Sequence, residues 1–168
     1  YPKIKICGSS GPSADGKDFD YGWEQMRKLG VDMVDEHYYK SPEWFRSNAS
    51  RYDKYDRKGP KVFAGEYAAH AENDPNSWEA ALSEAAFMTG LERNADVVYQ
   101  ATYAPLFAHV EGWQWRPDLI WFDNLQSYGS PSYYVQKLFS NNRGTQVVPI
   151  EMNGEVMAGK DSLYASAC

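Results

Sequence analysis

Two places in the chain hold residues able to do chemistry together. One is Glu66, within Lys61-Val62-Phe63-Ala64-Gly65-Glu66-Tyr67-Ala68-Ala69-His70; the other is Glu36-His37-Tyr38-Tyr39, one apolar run earlier. Hydrolysis of a glycosidic bond takes two carboxylic acids, one to attack or to activate water and one to protonate the leaving oxygen. A histidine and a tyrosine beside the attacking carboxylate can donate hydrogen bonds that keep it ionised and in one rotamer. Glu66 is the candidate for that carboxylate, with His37 and Tyr39 as its neighbours. Alone, a glutamate at a strand end reads as a solvated surface acid, and a strand histidine as a core residue bonded to a carbonyl. The recurrence of polar clusters at two successive strand ends favours the chemical reading. Glu36 is the local candidate for a second carboxylate, although it precedes the strand end, and Tyr38, on the opposite strand face, reads as packing.

These residues need elements to position them. Tyr1–Ser9 alternates Ile4 and Ile6 with Lys3 and Lys5, which predicts a strand, and Gly8-Ser9-Ser10-Gly11-Pro12 closes it with turn residues. A helix follows over Phe19–Leu29, with Phe19, Trp23, Met26 and Leu29 on one stripe and Gly30 ending it. Val31–Tyr39 predicts a second strand, and Ser41-Pro42 opens a helix as cap and first residue. The charged, tyrosine-rich stretch Arg46–Lys58 reads as a solvated helix and loop. Lys61–Tyr67 is the third strand. Trp78–Asn94 is the strongest helix, its apolar face made by Ala81, Leu82, Ala85, Ala86, Met88 and Leu91. Val97–Phe107 is a fourth apolar run broken by Pro105, Asp118–Phe122 a short strand-like excursion, and Ser130-Pro131-Ser132 the cap of a last helix over Tyr133–Ser140. After Gly144 the texture changes, and Thr145–Ile150 predicts the first strands of a β domain.

Strand and helix alternate four times at intervals of about 30 to 35 residues, which implies parallel strands joined by crossover helices. A doubly wound sheet and half of an eight-stranded barrel both fit. The first turn carries neither a Gly-Lys-Ser/Thr phosphate loop nor a dinucleotide fingerprint, and polar residues gather at strand C-termini, so the barrel is favoured.

Composition narrows the partners. A net charge of −6 without a Lys/Arg cluster argues against nucleic acid. No apolar run approaches the roughly 18 residues that cross a bilayer. Aromatic residues make up 15% of the chain, with 6 Trp and 13 Tyr, a surplus suited to stacking on sugar rings or to protein contacts. Trp113 and Trp115 offer a candidate sugar platform, with loop packing as the other reading. Cys7 and Cys168 lie at opposite ends and are not expected to pair; His70 and His109 are not spaced as a metal pair. Asn48-Ala49-Ser50 is a glycosylation triplet whose meaning depends on the host. The chain begins without Met inside a strand-like run, and the expectation is a segment of a longer protein.

Taken in order, Val34-Asp35-Glu36-His37-Tyr38-Tyr39 with Ser41-Pro42-Glu43-Trp44-Phe45, Phe63-Ala64-Gly65-Glu66-Tyr67-Ala68, Tyr99-Gln100-Ala101-Thr102-Tyr103-Ala104-Pro105-Leu106-Phe107 and Trp121-Phe122-Asp123-Asn124 resemble the α-L-arabinofuranosidases of glycoside hydrolase family 51. The resemblance implies an α/β fold in which residues 1–144 are strands five to eight of a (β/α)8 barrel and residues 145–168 begin a β-sandwich domain. It implies Glu66 as nucleophile, with His37 and Tyr39 contacting the arabinosyl unit and hydrogen-bonding Glu66. The family's acid/base glutamate follows an asparagine at the end of strand four. No Asn-Glu pair of this chain occupies such a place, and Glu72-Asn73 has the reverse order. The implied reaction is retaining hydrolysis of terminal non-reducing α-L-arabinofuranosyl residues, with no cofactor and no metal. Its substrate is an arabinose-containing plant cell-wall polysaccharide or oligosaccharide. The size of those polymers favours an extracellular or periplasmic enzyme, and a homo-oligomeric parent is compatible with the family. Two other readings stay open: another glycosidase of the same barrel clan, such as an endoglycanase, and a non-catalytic carbohydrate-binding module. Half a barrel leaves two open strand edges and an uncovered apolar interior. The isolated 168-residue chain is therefore expected to self-associate or stay partly unfolded, and sedimentation showing a compact monomer with a cooperative melt would contradict this.

Overall fold

The computed structural model describes every residue except Pro2. Four parallel strands, β1 (Cys7–Ser9), β2 (Met33–Lys40), β3 (Lys61–Ala69) and β4 (Val98–Tyr103), pair in chain order. Parallel neighbours need crossovers, and α1 (Lys17–Leu29), α2 (Pro42–Ser47) and α3 (Trp78–Arg93) supply them. Local chemistry sets their limits. The Ser41 and Ser77 hydroxyls accept from the N–H groups of Trp44 and Ala80, and Pro42 stands in the first turn. Gly30 ends α1 at φ 67°, a conformation in which a Cβ would be strained.

The core lies between one face of this sheet and the helices. Val34, Tyr38, Val62, Ala64 and Tyr67 point into it and meet Phe45, Tyr52, Phe87 and Leu91. Around Phe87 the rings of Tyr38, Phe45, Trp44 and Tyr67 sit with centroids 5.3–6.2 Å apart. After β4 the chain leaves the sheet. β5 (Phe107–His109) pairs parallel with β6 (Ile120–Phe122), which pairs antiparallel with β7 (Ser127–Gly129), and Ser130 caps α4 (Pro131–Asn141). A short hairpin, β8 (Glu151–Met152) with β9 (Glu155–Val156), follows.

Several expectations shift. Of the strand expected over Tyr1–Ser9, Pro2 lies outside the described residues and the ladder holds Cys7–Ser9; Ile4 and Ile6 are exposed. Leu29 and Leu82, placed on apolar helix faces by periodicity, point to solvent at 72% and 51% exposure. The run Val97–Phe107 divides between two sheets at the Pro105 break, and β7 was not foreseen. Within Thr145–Ile150 only Val148 forms a bridge, to Ala167, and the regular pairing starts at Glu151. The largest correction concerns Arg46–Lys58. Its first two residues close α2, and the rest is a series of turns packed onto the core rather than a solvated loop, with Ala49 and Tyr52 buried, because its tyrosines turn inward around a polar group.

That turn segment packs very closely on α3. A Cβ on Gly90 would lie 2.0 Å from the Ala49 carbonyl oxygen, and the Arg93 guanidinium donates to the same oxygen at 2.8 Å. Backbone cannot yield there as a side chain could. Gly90→Ala is expected to cost about 1–3 kcal/mol by overpacking, read as a lowered denaturant midpoint.

Candidate functional site

Alternation along β2 divides its residues between two environments. Val34, Glu36 and Tyr38 face the helices and are fully buried, while Asp35, His37 and Tyr39 face the other side of the sheet. Glu66 joins the second group through a bulge. Glu36 pairs with Ala64 and His37 with Glu66, so Gly65 is an extra residue on β3; β4 also skips there, pairing Ala64 with Ala101 and Tyr67 with Tyr103. The inserted residue turns Glu66 onto the face of His37 and keeps Tyr67 in the core. Thr102 ties the bulge to β4 by donating its hydroxyl to the Gly65 carbonyl at 2.6 Å.

The expected trio therefore comes together. The Tyr39 hydroxyl donates to Glu66 Oε2 at 2.8 Å, and His37 Nδ1 stands 3.6 Å from the same oxygen. That second distance is too long for a hydrogen bond. The hydrogen bond of His37 goes instead to Asp35, two residues back on the same face, with Nε2 2.8 Å from Oδ2. Both groups that address Glu66 approach Oε2. Glu66 is 44% exposed, and the Tyr39 phenol is raised well above its ordinary range by burial and by its bond to the glutamate.

An aromatic wall continues the site. The Tyr39 ring lies 5.4 Å from His70 and 6.0 Å from Trp115, and His70 and Trp115 are 5.8 Å apart. Of the two loop tryptophans, Trp115 thus reaches the candidate site. Trp113 instead packs against Trp121, with the Arg116 guanidinium 4.3 Å over its ring. His109 sits in the other sheet against Phe122. Among the described residues no group of three or more His, Cys, Asp or Glu is arranged to hold a metal, and Cys7 and Cys168 are free thiols.

Glu36 does not share this site. It lies on the helix side of the sheet with 0% exposure, inside a box of donors. The Trp23 indole N–H and the Tyr55 hydroxyl donate to Oε1 at 2.7 and 3.0 Å, and the Tyr52 hydroxyl donates to Oε2 at 2.9 Å. Tyr38 also donates to Oε2, and Arg51 Nε stands 3.6 Å away. Burial holds the Glu36 carboxyl above its ordinary value, against the smaller lowering pull of Arg51, Tyr52, Trp23 and Tyr55. Sequence reading missed this box because Trp23, Arg51, Tyr52 and Tyr55 carry no local pattern that points at Glu36. The available signal was parity: Glu36 and Tyr38 must share a face, and so must Asp35 and His37.

A family model described as the alpha-L-arabinofuranosidase C-terminal domain matches residues 44–163. The chain belongs to this arabinofuranosidase family. An extracellular exo-alpha-L-arabinofuranosidase of Streptomyces chartreusis is 58% identical over 149 residues, covering 89% of this chain and 18% of its own length. Alpha-L-arabinofuranosidase 1 of Arabidopsis thaliana is 37% identical, covering 99% of this chain and 23% of its own. The solved structure of an arabinose-bound GH51 α-L-arabinofuranosidase superposes with a TM-score of 0.75 at 38% identity, over 89% of this chain and 24% of that one. The α/β fold is that of the GH51 arabinofuranosidases. An α-L-arabinofuranosidase from Thermotoga maritima, TM-score 0.61 over 87% of this chain and 33% of its own, is 16% identical and shows the fold alone. The family member described here spans about a fifth of the length of these curated relatives.

Behind the site, at the end of β3, the Ala69 N–H donates to Glu84 Oε1 at 2.8 Å, while Glu84 Oε2 has no protein partner. Burial raises the Glu84 carboxyl to about 7, against the lowering influence of Ser132 and the Ala69 N–H. A folded value above the ordinary 4.5 means that the folded state binds this proton more tightly. The associated stability is complete below 4.5 and is lost as pH rises through 7. Glu84→Gln is expected to remove that decline. In thermal melts of the protein that carries this chain, the variant should gain on wild type between pH 4.5 and pH 8, and parallel curves would contradict this.

Proposed function

We propose that the protein carrying this chain is a retaining α-L-arabinofuranosidase in which Glu66 is the nucleophile. Residues 1–144 form the second half of its (β/α)8 barrel, and residues 145–168 begin a β-sandwich domain. The observation that carries the reading is the position of Glu66 at a bulge near the C-terminal end of β3, with Tyr39 and His37 both addressing Oε2. In a barrel of this kind catalytic groups sit at strand C-termini. Because Oε2 is engaged by Tyr39, Oε1 is the oxygen left to attack the anomeric carbon. Attack forms a covalent arabinosyl ester while a second acid protonates the leaving oxygen, and water then releases arabinose with retained configuration.

The second acid is assigned to a part of the protein outside these residues. Glu36 faces the opposite side of the sheet, and Asp35 is engaged by His37. Tyr39, His70 and Trp115 form a wall against which the apolar face of a sugar can pack. The names of the Streptomyces and Arabidopsis relatives and the arabinose in the solved neighbour support arabinose-containing glycans as substrates. The extracellular relative supports export.

The full-length protein is expected to hydrolyse p-nitrophenyl α-L-arabinofuranoside. Glu66→Ala should lose several orders of magnitude in kcat, and azide should restore turnover with an arabinosyl azide as product. No activity on this glycoside in wild type would turn the reading to other glycosidases of the same clan. Activity unaffected by the substitution would remove Glu66 from the mechanism.

A further inference from the structure

Asp35 has no role in the mechanism above, yet its placement is highly constrained. Its Oδ2 takes the hydrogen bond of His37 Nε2 at 2.8 Å, and its Oδ1 is buried without a protein partner. Space for Oδ1 exists only because residue 65 is glycine. A Cβ there would lie 1.9 Å from Oδ1 and 3.0 Å from Cγ. Gly65 is also the extra residue of the bulge that brings Glu66 opposite His37. Its backbone does not need a positive φ, so the close approach of Asp35 accounts for the missing side chain.

The chain of contacts is therefore Gly65, Asp35, His37, Glu66. Ionised Asp35 is an acceptor only, so the bond to it requires the hydrogen on Nε2. That bond fixes the ring plane and leaves Nδ1 as the atom directed at Glu66 Oε2, at 3.6 Å, where it has a hydrogen to offer the carboxylate only when the ring carries hydrogens on both nitrogens. Without it the imidazole can rotate about its two side-chain torsions and leave its place against Glu66 Oε2, whose hydrogen bond comes from Tyr39. We propose that Asp35 is a positioning residue for the nucleophile. Gly65 admits Asp35 beside the bulge, and Asp35 acts on Glu66 by holding the His37 ring. This rests on Glu66 being the nucleophile, and the test separates the two.

In the full-length protein, Asp35→Leu is compared with Asp35→Asn, Gly65→Ala, the Asp35→Leu/Gly65→Ala double variant and Glu66→Ala, on the same aryl arabinofuranoside. Asparagine can still accept from Nε2–H; leucine has the same bulk and cannot. Misplacement of a reacting group by about 1 Å costs on the order of 100-fold, so Asp35→Leu should lower kcat by about ten- to hundred-fold while KM changes little. Asp35→Asn should restore most of that loss. Gly65→Ala should reproduce it, and the double variant should be no worse than either single change, as expected for one shared contact chain. A crystal structure of Asp35→Leu should show the His37 ring turned and Nδ1 farther from Glu66 than 3.6 Å. Three results would overturn the assignment: wild-type kcat in Asp35→Leu, equal losses in the Leu and Asn variants tracking a fall in melting temperature, or an unmoved His37 ring. If Glu66→Ala keeps full activity, the nucleophile reading fails instead, and the ring position in the crystal structure still decides whether Asp35 holds His37.

Discussion

The register between β2 and β3 is the constraint from which everything at the site follows. Because side chains alternate across a strand, a slip of one residue would exchange the two faces of β2. Glu36 and Tyr38 would then meet Glu66, and His37 and Tyr39 would enter the core. Two features prevent the slip. On the helix side Val34, Glu36 and Tyr38 are fully enclosed, and a one-residue slip would turn them out of the core. On the opposite side the extra residue at Gly65 lies against Asp35, whose Oδ1 would stand 1.9 Å from a Cβ placed there. The bulge converts a regular ladder into one that presents a carboxylate, a phenol and an imidazole on a single face.

The layer behind the sheet supports that precision at an electrostatic cost. Burying the Glu36 carboxylate is unfavourable, and five side chains from α1, β2 and the turns after α2 compensate it: Trp23, Tyr38, Tyr52, Tyr55 and Arg51. Arg51 adds planar contacts, its guanidinium carbon lying 5.0 Å from the Tyr38 ring centre and 5.1 Å from that of Phe19. A network of this kind adds little to net stability over an apolar core, but removing one member leaves another buried and unpaired. It locks the turns at 48–58 and helix α1 onto the back of the strand that carries His37. Gly90 adds a backbone contact between α3 and the same turns.

The front of the sheet has a different character. Glu66 is half exposed, the Trp115 ring is exposed at 49%, and His70 Nε2 is buried without a protein partner. A polar-locked back and an open aromatic front suit the proposed site, in which one carboxylate is held still while a sugar is admitted. Burial lowers the His70 imidazole below its ordinary value, which disfavours charge on the ring that packs against Tyr39 and Trp115.

By itself the sequence determined the order of the first four strands and of the helices, the serine caps at Ser41 and Ser130, the stop at Gly30, and the strand face that His37 and Tyr39 share apart from Tyr38. These are local signals: periodicity, turn chemistry and residues two apart on one strand. Tertiary structure decided the rest, because it depends on distances between segments far apart in the chain. Arg46–Lys58 reads as a polar solvated stretch until its tyrosines are seen to close around Glu36. Trp113 and Trp115 are equivalent in the sequence, and only the folded loop sends one to Tyr39 and the other to Trp121. His37 was expected to bond Glu66, whereas the strand geometry gives that bond to Asp35, the nearer acceptor on the same face. The bulge at Gly65 has no signature beyond a glycine in a strand; the neighbouring carboxylate that demands it is thirty residues away in sequence and in contact only once β2 and β3 are paired.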